Sequence, residues 1–240
     1  EPHEVYSVYR YQQEVYRLLR DHRRSGPGTA ARPWVMVGGT GLYVEAVLND
    51  YRLADVPEDP ALRRRLQGRG RAELAAELAR LDPGLAARTD AGSRKRLIRA
   101  LEIARVGEVR RSEPLGEPVE ALVFATRVEA GVLAGRIRRR LGARLEQGLV
   151  EEVRGLLAAG VTRERMDMLG MEYRHVAAHL SGEVGFEAMV ERLEGEIRRL
   201  AKRQRTWFRG MARRGIPVRW IDPGDADTVL GAVRSRARPR

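Results

Sequence analysis

The chain has 240 residues, 43% of them hydrophobic and 32% charged, no cysteine, and a formal net charge of +12. This excludes a disulfide framework and a thiolate metal site, and no run approaches the roughly 20 apolar residues of a membrane-spanning helix. The positive balance points to a polyanionic partner, nucleic acid above all, although an Arg bias this strong (Lys95 and Lys202 are the only lysines) also arises from a GC-rich genome.

Val5, Val8, Gln12, Val15 and Leu18-Leu19 recur at helical spacing up to Ser25-Gly26-Pro27-Gly28, which predicts a first helix. Trp34–Val37, "WVMV", is short, continuous and apolar, and reads as a fully buried strand. It stops at Gly38-Gly39, followed by Thr40-Gly41 and a helical pattern. Strand, glycine turn, helix is the layout of a phosphate loop, yet the turn has no Lys and lacks the P-loop spacing. The order implies an α/β fold with a parallel sheet. From about Asp50 the strand signal disappears. Asp59-Pro60 opens a run of helical leucines (Leu62, Leu66, Leu74, Leu78, Leu81, then Leu97 and Leu101 with Ile98 and Ile103), and Asp59, Asp82 and Asp90 read as helix starts and caps. Strand 120–128 returns the chain to the sheet. Helices are predicted at 131–147, 148–159, 171–180 and 186–214, then a strand at 216–222 and a helix at 224–236. Residues 1–52 are thus the first part of a core domain, 53–117 an all-helical insertion, and 118–240 the second part of the core with C-terminal helices. The N-terminus is polar, with no apolar signal segment, and a cytoplasmic setting is expected.

Along 186–214, Phe186, Val190, Leu193, Ile197, Leu200, Gln204, Trp207 and Met211 form one stripe, with Gln204 its odd polar member. Beside it, Arg198, Lys202, Arg205 and Arg209 share a second face. A core face and an anion-binding face explain this pattern; a merely solvated basic face is the alternative. In "GRIRRRLGARL", Arg136 and Arg140 stand one helical turn apart, with Arg139 alongside. The helix follows strand 120–128 closely, so its first turns lie at the C-terminal edge of the sheet, where α/β folds bind ligands. Guanidinium forks there suit phosphate. "SRKRLIR" sets Arg96 and Arg99 on one face with Lys95 flanking. His175 and His179 are one turn apart but find no third ligand, so no metal site is expected from them. With no G-x-S-x-G and no Cys nucleophile, the chain offers a turn and cationic clamps without an obvious general base.

Several segments together resemble the tRNA dimethylallyltransferase (tRNA isopentenyltransferase) family. They are Val37–Tyr43, "VGGTGLY"; Asp59–Arg63 against "DPxxR"; Lys95–Glu102 against "QRxxRALE"; Arg136–Arg140 against "RIxxR"; and Ala201–Arg209 against "AKRQxTWFR". "EVYSV" near the start matches as well. Lys95 stands where the family has Gln, and the family's adjacent Gly and Tyr are separated here as Gly170 and Tyr173.

The resemblance implies a P-loop NTPase-like parallel sheet core and transfer of a dimethylallyl group from dimethylallyl diphosphate. The acceptor it implies is the exocyclic amine of the adenosine 3′ of the anticodon in tRNA. It implies Mg²⁺, and a P-loop and a general-base Asp lying before Glu1; without them the 240-residue chain is expected to be inactive. Arg140, with Arg136 behind it, is expected to neutralise the diphosphate leaving group. Gly38, Gly39, Gly41 and Tyr43 are expected to let the base approach, with the Thr40 hydroxyl orienting the amine; alternatively Thr40 caps the helix that follows. Arg63, Lys95, Arg96 and Arg99 are expected to grip the anticodon stem-loop from the insertion. Tyr173, Arg174, Arg198, Lys202, Arg205 and Arg209 extend that contact. Nothing demands an oligomer, so a monomer is expected, with no membrane partner. A kinase-like phosphotransferase and a non-catalytic RNA-binding fragment remain as alternatives.

Overall fold

Asp59, Asp82 and Ser93 each precede an apolar helical repeat, and each side chain accepts the N–H of the third residue on, so helices begin at these caps. In chain order the elements are α1 (Val8–Arg24), α2 (Gly41–Leu48), α3 (Pro60–Leu66), α4 (Arg71–Leu81), α5 (Pro83–Arg88), α6 (Arg94–Val106), β1 (Val123–Thr126), α7 (Ala130–Glu146), α8 (Leu149–Ala158), α9 (Arg163–Leu169), α10 (Met171–Leu180), α11 (Phe186–Arg213), β2 (Val218–Ile221) and α12 (Ala226–Ala237). The structure, a computed structural model, describes residues 6–24 and 33–237. It divides into two compact units, Ser7–Gly26 with Asn49–Pro118, and Glu1–Tyr6 with Pro27–Leu48 and Val119–Arg240.

The helical unit packs α3–α6 around Leu62, Leu66, Leu74, Leu78, Leu97, Ala100 and Leu101. Two acidic side chains are buried in it and neutralised. Glu77 pairs with Arg69 and Arg105, and Glu102 with Arg63 and Arg99. Helix α1 groups with this unit rather than with the rest of segment 1–52. Its buried Gln12 donates to the Tyr51 carbonyl at 2.9 Å, and its buried Tyr16 hydroxyl donates to Asp50 at 3.0 Å. Asp90 does not cap α6: it accepts the Gly92 N–H in the preceding turn, and Ser93 is the cap.

In the other unit, β1 and β2 pair in parallel, Val123 opposite Val218 through Thr126 opposite Ile221. The crossover between them carries α7–α11, whose core comprises Leu141, Leu149, Val153, Val161, Met166, Val176, Ala177, Met189 and Leu193. Helix α9, capped by the Thr162 hydroxyl, was not expected from the sequence. The expected buried strand at Trp34–Val37 is not one: the segment joins no ladder among the described residues, with Val35 79% and Val37 89% exposed. A strand needs partners for its N–H and C=O groups, and among the described residues β1 and β2 pair only with each other. No helix among the described residues is long and apolar enough to cross a membrane.

Candidate functional site

The glycine turn leads into α2, whose first turn closes through the Tyr43 N–H and the Thr40 carbonyl at 2.9 Å. Thr40 is exposed, and among the described residues its hydroxyl makes no hydrogen bond. The capping alternative for Thr40 therefore has no contact behind it. Neither Gly39 nor Gly41 has a left-handed φ; what they provide is space. A Cβ at Gly41 would lie 2.7 Å from Trp207 Cγ and 2.8 Å from its Nε1, and one at Gly39 would lie 3.3 Å from Gln204 Cδ. Gly38 has nothing within 4 Å. The turn and "AKRQRTWFR" are therefore packed together. Gln204, the polar member of the α11 stripe, is the side chain that covers Gly39. The faces of Gly39 and Gly41, expected to admit a base directly, are occupied by α11, and that of Gly38 is open.

The Trp207 indole is held without a hydrogen bond among the described residues. Its indole Nε1 is buried and has no hydrogen-bond partner among the described residues. The ring edge rests on Gly41, and the Arg214 guanidinium lies over the ring, 5.3 Å from its centroid. Arg214 also grips Glu45 of α2 with both Nε and Nη2, the second contact at 2.9 Å, and Glu45 is fully buried. Nothing in the sequence signals this pair, whose members are 169 residues apart.

The C-terminal edge of the sheet is built differently from expectation. Glu129 occupies the N-terminus of α7, accepting the Val132 N–H at 3.0 Å. The backbone N–H groups of Gly131, Val132 and Ala130 hold its carboxyl below the usual range. That helix end already has its anion. Arg136 and Arg140 stand further along α7, exposed, with no ion pair or hydrogen bond among the described residues. They rim a cavity of about 340 Å³ lined also by Leu133, Ile137, Leu169, Met171, Tyr173, Ile197 and Leu200. It is apolar within and cationic at Arg136 and Arg140, with the acidic Glu172 also on its lining. Tyr173 is fixed there by donating its hydroxyl to Glu152 at 2.6 Å, a bond that raises the phenol's pKa.

Ile197 and Leu200 of the cavity and Gln204 and Trp207 at the turn follow one another on α11 at intervals of three and four residues. They share a face, and Leu200 and Gln204 are about 6 Å apart along the axis. The cavity and the glycine turn are thus successive stations on one helix.

The cations sort into free and committed ones. Lys202, Arg205 and Arg209 are exposed and have no partner among the described residues, whereas Arg198 pairs with Glu194. Arg174 pairs with Glu196, which also meets His175 at 2.7 Å; these two partners push the Glu196 carboxyl down to about 2. In the helical unit, Glu102 meets Arg63 at 2.6 Å and Arg99 at 2.9 Å. Burial acts to raise the Glu102 carboxyl, but Arg63, Arg99 and the Asp59 N–H outweigh it and hold it low. Arg63 and Arg99 are therefore structural neutralisers in the first place. Lys95 is exposed, and Arg96, also exposed, meets Asp90 at 2.8 Å. Among the described residues no three His, Cys, Asp or Glu are gathered to hold a metal. His179 bonds the Val184 carbonyl instead.

A family model for IPP transferase matches residues 1–211. The chain belongs to the IPP transferase family. It is 42% identical over 231 residues to tRNA dimethylallyltransferase 2 of Syntrophotalea carbinolica, covering 95% of this chain and 75% of that protein. It is 44% identical over 209 residues to tRNA dimethylallyltransferase 1 of Geotalea uraniireducens, covering 86% and 69%. The crystal structure of the tRNA isopentenylpyrophosphate transferase of Bacillus halodurans superimposes with a TM-score of 0.63 at 30% identity, covering 99% of this chain and 75% of that one. A eukaryotic dimethylallyltransferase acting on tRNA, at 20% identity and a TM-score of 0.65, shares the fold. Within this IPP transferase, segments 37–43 and 201–209 meet at the turn, and Arg136 and Arg140 face the same long helix across the cavity.

Proposed function

We propose that this protein transfers a dimethylallyl group from dimethylallyl diphosphate to the exocyclic amine of the adenosine 3′ of the anticodon in tRNA. The observation that carries the reading is the shared face of α11. There an apolar cavity rimmed by two unpaired arginines adjoins a turn that displays an unbonded hydroxyl. A short branched hydrocarbon suits the cavity, and its diphosphate suits the forks of Arg136 and Arg140. In the transfer, the amine nitrogen bonds to C1 of the donor as the C1–O bond breaks. Diphosphate leaves with the electron pair, and the nitrogen loses a proton to a base.

Charge developing on the leaving diphosphate is neutralised by Arg140, with Arg136 behind it. The Thr40 hydroxyl orients the amine, and Gly38 gives the base an open face to approach. Glu45 is buried against Arg214 and is not assigned the role of base. The family implies Mg²⁺, but the described residues gather no carboxylate set for it, and no step here passes through the metal. The adenosine must leave its stack to reach the turn. The free cations Lys202, Arg205 and Arg209 lie along the same helix to meet the RNA backbone, and Lys95 and Arg96 of the helical unit are read as tRNA contacts in their own right. The protein is read as a cytoplasmic monomer. Nothing in the fold or the comparisons favours the phosphotransferase or the non-catalytic alternative.

The test is incorporation of radiolabelled dimethylallyl diphosphate into tRNA by the full-length native protein. A tRNA with adenosine at that position should be labelled, and one with guanosine there should not. Labelling of both, or of neither, would overturn the reading.

A further inference from the structure

The contact between turn and helix has a third member that the transfer reading does not use. Arg214 follows α11 by one residue, outside both matched motifs, yet it makes three ties to the turn region. It grips buried Glu45 on α2 in a fork, lies over the face of Trp207, and donates to the Trp207 carbonyl at 3.4 Å. Gly210 makes room for it, since a Cβ there would lie 2.6 Å from Arg214 Nη1. The indole Nε1 is buried and unbonded, so Gly41 under the ring edge and Arg214 over the ring face are what fix its orientation. The ring in turn sets where Gly41 lies, and Thr40 is the next residue.

We propose that Arg214 is a positioning residue for the transfer step: through Glu45 and Trp207 it fixes turn 38–41, and with it the Thr40 hydroxyl, against α11. The inference rests on the reading that Thr40 orients the acceptor amine. It predicts a particular kinetic pattern. In this inference Arg214 acts through Glu45 and Trp207, to which it is tied, and so sets the geometry of a group that acts in the transition state rather than adding to binding.

The experiment is single-turnover transfer by the native protein and its Arg214→Lys, Thr40→Val and doubly substituted forms, with thermal melting of each. Lysine keeps the charge but not the fork. Arg214→Lys should slow transfer about tenfold and leave the KM for tRNA within about twofold. In the Thr40→Val background the same change should cost almost nothing further, because no hydroxyl remains to be placed. Glu45→Gln, which keeps an oxygen to accept from Arg214 without burying a charge, provides a second variant should Arg214→Lys fold poorly. It should show the same loss and the same absorption by Thr40→Val. Losses that multiply in the double variants, or an effect confined to melting temperature or KM, would overturn the inference while leaving the transfer reading intact. An unsubstituted protein that transfers nothing would overturn the transfer reading, and the inference with it.

Discussion

Replacing Gly41 by alanine tests the packing on which the site depends. The added methyl would enter the Trp207 ring, 2.7 Å from Cγ and 2.8 Å from Nε1. The ring cannot yield easily, because Arg214 covers its other side and is itself tied to Glu45. Overpacking of this kind costs about 1–3 kcal/mol. Alanine's better helix propensity at the first residue of α2 returns at most about 1 kcal/mol. With that return taken in full, the net loss of about 0–2 kcal/mol corresponds to a fall in melting temperature of up to roughly 8 °C for a chain of this size. Transfer should fall further than stability, since the turn must move away from α11. Gly39→Ala meets only the end of a flexible Gln204, so it should cost less than about 1 kcal/mol. Gly38→Ala meets nothing within 4 Å and should melt like the parent or slightly above it. Thermal melting and single-turnover transfer on the three variants give the order. A Gly41→Ala protein as stable and active as the parent, beside a damaged Gly38→Ala, would refute the contact between turn and helix.

Thr40→Val should slow transfer tenfold or more, about 1.4 kcal/mol, with the melting temperature unchanged because the hydroxyl caps nothing; a destabilised but fully active variant would remove Thr40 from the site. Arg140→Ala should lower turnover by about 10²–10³ with little change in tRNA affinity. Arg96→Ala should instead weaken tRNA binding and reduce its salt slope by about one unit, and parallel losses of affinity in both variants would count against this division of roles. Glu196 has a folded-state value of about 2 against an ordinary 4.5, so its contribution to stability is complete above pH 4.5 and is lost as pH falls towards 2. Allowing for the part-exposed Arg174, that contribution is about 1–2 kcal/mol, and urea midpoints of Glu196→Gln should flatten the acid limb over that window.

Much of the fold was legible in the sequence because it is written locally. Asp59, Asp82, the leucine repeats and the strands at 120–128 and 216–222 each declare themselves within a few residues. The parts that stayed hidden are those where partners decide. "WVMV" has the composition of a buried strand, but a strand is a relation between segments, and it joins no ladder among the described residues. Arg63 and Arg99 are read from the sequence as RNA contacts; what the sequence hides is the carboxylate they share, Glu102, in the middle of an apparently ordinary helix. Gln204 was visible as an anomaly in an apolar stripe, but its partner, the bare face of Gly39, has no side chain to leave a pattern. Arg214 and Glu45 left no signal at all.

The length of α11 acts as a phase as well as a distance. Each residue turns the helix by about 100°, and Ile197, Leu200, Gln204 and Trp207 address the cavity and the turn from one side only because the count between them is right. One residue inserted between Leu200 and Gln204 would leave the cavity wall in place and swing Gln204 and Trp207 a quarter-turn off the glycines. The Lys202, Arg205 and Arg209 row would be carried round with them. Seven residues, close to two full turns, would restore the angle but displace the turn by about 10 Å. The span from Ile197 to Trp207 therefore has no tolerance for length change, and insertions can be absorbed only in loops such as Ser181–Gly185 and Gly215–Pro217 at its two ends.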